Sequence, residues 1–161
     1  MIAIVPYESC HADGVAALIL AIQQAEFGLP MTLAGQSDLS NIAAYYQHGI
    51  GNFWVAQDGE RVVGTVAAKD IGDGQVALRK LFVDAAHRGP GHGVGQRLLD
   101  TLLAWCRARD AARIYLGTTA QFLAAQRFYE KNGFEAIGRD QLPPAFPVME
   151  VDSTFYRRAL L

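Results

Sequence analysis

Residues 81–95 read Leu-Phe-Val-Asp-Ala-Ala-His-Arg-Gly-Pro-Gly-His-Gly-Val-Gly, an apolar strand that runs into a glycine-rich turn and opens a long helix. That order suits a phosphate site. The first turn of a helix has amides without intrahelical acceptors and a partial positive charge, and glycines let an anion approach the backbone without meeting a Cβ. Arg88 adds a full positive charge beside the turn. Glycines also serve plain helix starts and tight loops, so the turn alone does not decide between binding and architecture. No Gly-Lys-Ser or Gly-Lys-Thr follows, which argues against a Walker loop, and Gln96 stands where a dinucleotide G-x-G-x-x-G fingerprint starting at Gly91 needs glycine.

Two blocks narrow the choice. Arg88-Gly89-Pro90-Gly91-His92-Gly93 follows Val83 by five residues and has the form Arg/Gln-x-x-Gly-x-Gly/Ala. Residues 125–134, Ala-Gln-Arg-Phe-Tyr-Glu-Lys-Asn-Gly-Phe, form a helix ending in Tyr-Glu-Lys-x-Gly-Phe. In both blocks and in the order of its elements the chain resembles the GNAT superfamily of acyl-CoA-dependent N-acetyltransferases. The resemblance covers nearly the whole chain, in outline only over the amino-terminal third, where such enzymes vary with their acceptor.

The resemblance implies acetyl-CoA as cosubstrate and direct attack on its thioester by a primary amine of an unidentified acceptor, a small molecule, peptide or protein. The backbone of Leu81, Phe82 and Val83 would run beside the pantetheine arm where the sheet splays, with the Phe82 amide stabilising the oxyanion. Amides from Arg88 through Gly93, including Gly89, Gly91 and His92, would hold the pyrophosphate at the helix start by Val94, and Gly95 would permit close helix packing. Tyr129 would protonate the departing thiolate; by spacing alone, on a face with Phe122 and Ala125, it reads equally as a packed aromatic. Glu26, beside the loop 27–35 where an acceptor would enter, is the candidate general base, with a solvated helix-end glutamate as the other reading; Asp70, His48 and a water chain are further choices. One departure is Phe122, which stands seven residues before Tyr129 where many relatives have Asn, so that contact would fall to Thr118, Thr119 or Gln121. The competing functional class is a non-catalytic acyl-CoA-binding or sensing domain.

The elements that must position these groups follow from periodicity and turn chemistry. β-Branched residues 2–5 predict a first strand, 12–22 an amphipathic helix, and a cap at Ser37 or Asp38 a second helix to about Gln47. Residues 52–56, 61–68 and 76–83 predict three consecutive antiparallel strands, joined through Asp58-Gly59 and Gly72-Asp73-Gly74. Val94, Leu98, Leu102 and Trp105, beside Leu99, Leu103 and Cys106, make one wide apolar face on a helix over 91–109. A strand at 113–116, a helix at 121–131 closed by Asn132-Gly133, a strand from Phe134 to Ile137 and a last strand at 148–156 complete the order. The expected fold is a single α/β domain over 1–161: a central, mostly antiparallel sheet of six or seven strands flanked by about four helices.

Composition bounds the rest. With 161 residues, 51% hydrophobic, and 14 Lys and Arg against 16 Asp and Glu, the chain is long enough for one core and lacks the basic surface of a nucleic-acid binder. Neither a membrane span nor a signal peptide is expected, which with Cys10 and Cys106 as free thiols predicts a cytoplasmic protein. His87, His92 and Cys106 fit no zinc spacing, so no metal is expected, and no G-x-S-x-G supports a hydrolase. Edge strands make a homodimer a family-level expectation.

Overall fold

In a computed structural model, which describes residues 1–89 and 91–160, the chain forms one seven-stranded sheet, β1 to β7, with four α-helices. Pro90, inside the glycine-rich turn, lies outside the described residues. The strands are β1 Ile2–Pro6, β2 Asn52–Asp58, β3 Arg61–Asp70, β4 Gln75–Val83, β5 Arg113–Thr118, β6 Glu135–Ile137 and β7 Thr154–Ala159. They lie side by side in the order β1-β2-β3-β4-β5-β7-β6. Every neighbour is antiparallel except β4 and β5, because the long helix between them forces a crossover.

The helices are α1 Ala12–Leu20, α2 Ile42–Tyr46, α3 Val94–Ala108 and α4 Leu123–Lys131. Alternation along β2 explains how they share the sheet: Phe53 and Val55 face α1 and α2, whereas Trp54 and Ala56 face α3. The apolar stripe of α3, from Val94 through Leu98, Leu99, Leu102 and Leu103 to Cys106, is buried as the spacing predicts. A third cluster joins Phe146, from the proline-rich segment, to Tyr115 and Phe155. No helix among the described residues is long and apolar enough to cross a membrane.

Three of the boundaries that differ from the sequence reading bear on the site. Beyond α1 the chain continues as a π-helical segment, Ala21–Glu26, so the helical run carries Glu26 on its last residue. Asp38 does not cap α2, which starts only at Ile42; its buried carboxylate instead accepts a hydrogen bond from Tyr46 at 2.5 Å. The last strand begins at Thr154, because the Asp152 carboxylate takes the Met149 amide at 2.9 Å and folds the preceding residues into a turn.

The sheet is irregular in its middle. Thr65 pairs with Phe82 and Ala67 with Arg79, so two steps on β3 match three on β4, and the surplus residue makes a bulge around Lys80. Lys80 takes a left-handed φ of 56°. Its carbonyl accepts a hydrogen bond from the fully buried Thr65 hydroxyl at 2.6 Å. Before the bulge β4 has already left β5: their parallel pairing covers only Gln75↔Arg113, Val76↔Ile114 and Ala77↔Tyr115.

Thr65→Val keeps the shape and removes that donor, stranding a buried carbonyl. The expected outcome is a loss of about 1–3 kcal/mol in urea unfolding. A loss too small to measure would show that the bulge does not depend on the hydroxyl.

Candidate functional site

The gap between β4 and β5 holds two cavities. One, a slot of about 360 Å³, runs past Phe27, Val83, Arg88 and Gly95 to α4. The other, of about 80 Å³, lies towards Arg79, Lys80, Thr118 and Asp152. Leu81, Phe82, Phe122, Ala125 and Tyr129 line both, so the cavities meet there.

The slot begins at the glycine-rich turn. A Cβ built on Gly89, Gly91 or Gly93 meets nothing within 4 Å, so these glycines border open space. Gly93, in the left-handed region, precedes α3, and the first-turn amides of Gly95 and Gln96 have no backbone acceptor among the described residues. The amides of His92 and Gly93 are committed within the turn, to the Gly89 carbonyl at 3.1 and 3.4 Å. Val94 is 1% exposed and anchors the helix in the core, so only its backbone can meet a ligand. A Cβ on Gly95 would meet Val83 Cγ2 at 3.7 Å, an ordinary contact, so what its missing side chain leaves open is the slot.

Along β4 the pleat decides which amides face the slot. The Asp84 amide donates to Val63 on β3 at 2.8 Å, and the Val83 carbonyl turns the other way, accepting from Arg88 Nε at 2.7 Å. Alternation therefore directs the Phe82 amide towards β3 and the Leu81 and Val83 amides towards the slot. The Phe82 ring packs edge-on against Phe122, which also meets Phe27 with centroids 4.5 Å apart. Phe122 thus forms an aromatic wall, and of the residues expected to replace its polar contact Thr118 and Thr119 line the small cavity and Gln121 the slot.

Tyr129 is 5% exposed on α4, among Phe128, Phe134 and Tyr156. Its hydroxyl bonds to no described residue. Since no fully buried side-chain polar atom among the described residues lacks a partner, that hydroxyl fronts the cavities. Burial pushes its pKa well above the ordinary phenol value, so it holds its proton at neutral pH.

Glu26, at the end of the π-helical segment, lines neither cavity; it pairs with the slot residue Arg88 through both oxygens, the longer contact being 2.8 Å. Asp70 is a turn clamp: one oxygen takes the Ile50 amide at 3.1 Å and the other the Gly72 amide at 2.9 Å. The His48 carbonyl accepts the Gly51 amide in the turn before β2. His87 bonds Asp84 at 2.9 Å, which holds that carboxyl below its usual range. No group of three or more His, Cys, Asp or Glu side chains among the described residues could hold a metal ion.

The small cavity holds charged residues that the sequence reading passed over. Lys80 Nζ donates to Gln36 at 2.6 Å and lies 3.6 Å from Asp38, and Arg79 lies 3.7 Å from the same Asp38 oxygen. Burial lowers the Lys80 pKa to about 8, against the opposing pull of Asp38. Burial raises Asp152, with Arg79 and Lys80 opposing the shift. The available signal was the pair Arg79-Lys80 inside a strand whose other residues are mostly apolar.

A family model described as Acetyltransferase (GNAT) family matches residues 19–134. The chain is 38% identical over 105 residues to an N-acetylaspartate synthetase of Xenopus tropicalis, spanning 64% of this chain and 38% of that one. It is 34% identical over 113 residues to human N-acetyltransferase 8B, spanning 66% of this chain and 49% of the relative. The chain thus spans less than half the length of these curated relatives. Among solved structures, an acetyltransferase of GNAT family from Staphylococcus aureus Mu50 superposes with a TM-score of 0.96 at 36% identity, covering 100% of both chains. An acetyltransferase from Streptococcus agalactiae 2603 superposes at 0.94 with 33% identity, covering 99% of this chain and 98% of the other.

The lowered Lys80 value sets a pH dependence. Its folded pKa of about 8 lies below the ordinary lysine value of 10.5, so between these values the unfolded chain binds more protons and the contribution to stability rises with pH. Below pH 8 the contribution stays at its minimum, and the raised tyrosines, Tyr46 and Tyr129, act with the opposite sign only as pH approaches and passes 10. Urea midpoints measured from pH 7 to 9.5 should show a rising component that Lys80→Met lacks; identical slopes would contradict it.

Proposed function

Because the chain belongs to the GNAT family of acetyltransferases, we propose that it transfers the acetyl group of acetyl-CoA to a primary amine. The observation that carries this reading is the slot opened by the divergence of β4 from β5, which leads from a phosphate-ready turn to the buried Tyr129 hydroxyl. The names of the relatives, N-acetylaspartate synthetase and N-acetyltransferase 8B, support the reaction class.

The residues present fit the cosubstrate. Open backbone at Gly89 and Gly91, with the first-turn amides of α3, suits a pyrophosphate, and the apolar slot suits a pantetheine arm. When bound, acetyl-CoA supplies the activated acyl carbon. The amide of Leu81, facing the slot where the two cavities meet, stabilises negative charge on the thioester oxygen; strand alternation supports it over the Phe82 amide first expected there. Tyr129, neutral and aimed into the same space, gives its proton to the departing sulfur. In this reading Arg88 exchanges Glu26 for a phosphate oxygen; Glu26 lines neither cavity and stays at the phosphate end, so the proton of the incoming ammonium leaves to water at the junction, the other choice the sequence offered. A cytoplasmic setting and a homodimer through an edge strand, β1 or β6, belong to the same proposal.

Two variants test it. Gly91→Trp starts from a position whose Cβ would meet nothing within 4 Å and fills the space above the turn, so it should abolish the thermal shift given by acetyl-CoA and leave cooperative unfolding intact. At a hundred times Kd the wild type should gain about 2.7 kcal/mol from the ligand. Tyr129→Phe should lower amine-dependent CoA release by about 10²–10⁴-fold with little change in acetyl-CoA affinity. Equal turnover would remove Tyr129 from the acid role. Acetyl-CoA binding with no CoA release for any amine would favour a sensing domain.

A further inference from the structure

The small cavity has a charge pattern that transfer to an amine does not by itself require. In a regular strand Arg79 and Lys80 would point to opposite faces of the sheet, but the bulge, with Lys80 at φ 56°, brings both side chains to one cavity. The Lys80 side chain is 2% exposed, yet its ammonium, with three donors, has one close oxygen, Gln36 Oε1 at 2.6 Å. Asp38 at 3.6 Å and the Met149 sulfur at 3.9 Å are its next neighbours. Arg79, 10% exposed, uses Nη1 on the hydroxyls of Tyr45 and Tyr46 at 3.2 and 3.1 Å. Its Nε and Nη2 bond to no described residue, and since no fully buried polar atom there goes unpaired, they front open space.

At ion-pair distance the two cations share one carboxylate, Asp38, whose Oδ2 is already taken by Tyr46 at 2.5 Å, while the charge of Asp152 acts on both from further off. Asp152 also lines this cavity, over Gly117, where a Cβ would come within 2.7 Å of its Oδ2. That oxygen accepts the Met149 amide at 2.9 Å, and Oδ1 bonds to no described residue. One cavity thus offers a guanidinium fork and a buried ammonium together with a free carboxylate oxygen. This is the complement of a molecule with a negative and a positive end, and a planar fork suits a carboxylate in particular.

We propose that the small cavity takes an acceptor amine that also carries a carboxylate, an amino-acid-like zwitterion, with Arg79 and Lys80 binding the carboxylate and Asp152 facing the ammonium. The proposal rests on the acetyl-transfer reading, since it assigns the acceptor of that reaction. The volume, about 80 Å³, suits a small molecule, and the junction at Leu81 and Tyr129 lets its amine reach the slot.

The test compares each of the twenty L-amino acids with its α-carboxamide and its decarboxylated amine. CoA release is measured with acetyl-CoA, and the same compounds are titrated calorimetrically into the protein without cofactor and loaded with CoA. At least one amino acid should exceed its carboxamide and its decarboxylated amine by 100-fold or more in kcat/KM and bind correspondingly tighter. Arg79→Lys and Lys80→Met should each cut that ratio by tenfold or more, whereas Asp152→Asn should weaken acid and amide alike. Amides or decarboxylated amines accepted within threefold of every acid would overturn the proposal, as would cation variants that weaken both compounds equally. If no amine releases CoA, the transfer reading fails, and the calorimetric ratio still judges the carboxylate site on its own.

Discussion

One hydrogen bond sits at the centre of this molecule, from the Thr65 hydroxyl to the carbonyl of Lys80. A strand with one residue too many must place its surplus carbonyl somewhere, and in a sheet covered on both faces water cannot take it. Thr65, fully buried on the neighbouring strand, supplies the partner. β4 parts from β5 after Ala77, and the bulge held a few residues on sets which of its side chains and amides face the space that opens there.

The remaining architecture serves that opening. Packing of α1 and α2 on one face and α3 on the other fixes β2 and β3 as a rigid half-sheet. The other half, β5 to β7, carries α4 and with it Tyr129, while Phe146 packs beneath on Tyr115 and Phe155. The glycine-rich turn needs its own freedom at the start of α3, and the buried stripe from Val94 to Cys106 holds that start in place. Arg88 links the halves of the slot's mouth by bonding both the Val83 carbonyl and Glu26.

Much of this was legible in the residues. Apolar stripes and Asp-Gly turns are local signals, so the central three strands and α3 fall where the spacing predicts them. The two motif blocks placed the turn and Tyr129, and the family followed from them. What escaped depends on contacts between residues distant in sequence. Asp38 looks like a helix cap until Tyr46, Arg79 and Lys80 draw its carboxylate inward. The alternation of residues 148–153 suggests a strand until Asp152 folds back on the Met149 amide over Gly117. The bulge is invisible to a period-two pattern because it breaks that pattern, so neither the turn of the Phe82 amide nor the shared aim of Arg79 and Lys80 could be read from spacing.

The shared wall of Leu81, Phe82, Phe122, Ala125 and Tyr129 has a consequence for the evolution of relatives built this way. Because the two chambers share this lining, volume gained by an occupant of one at the junction is volume lost to an occupant of the other. Donor chain length and acceptor bulk are then competing demands on one fixed space. A lineage that enlarges one must shrink the other, or recarve the junction at Phe122, a residue that owes its position to no backbone constraint of the sheet.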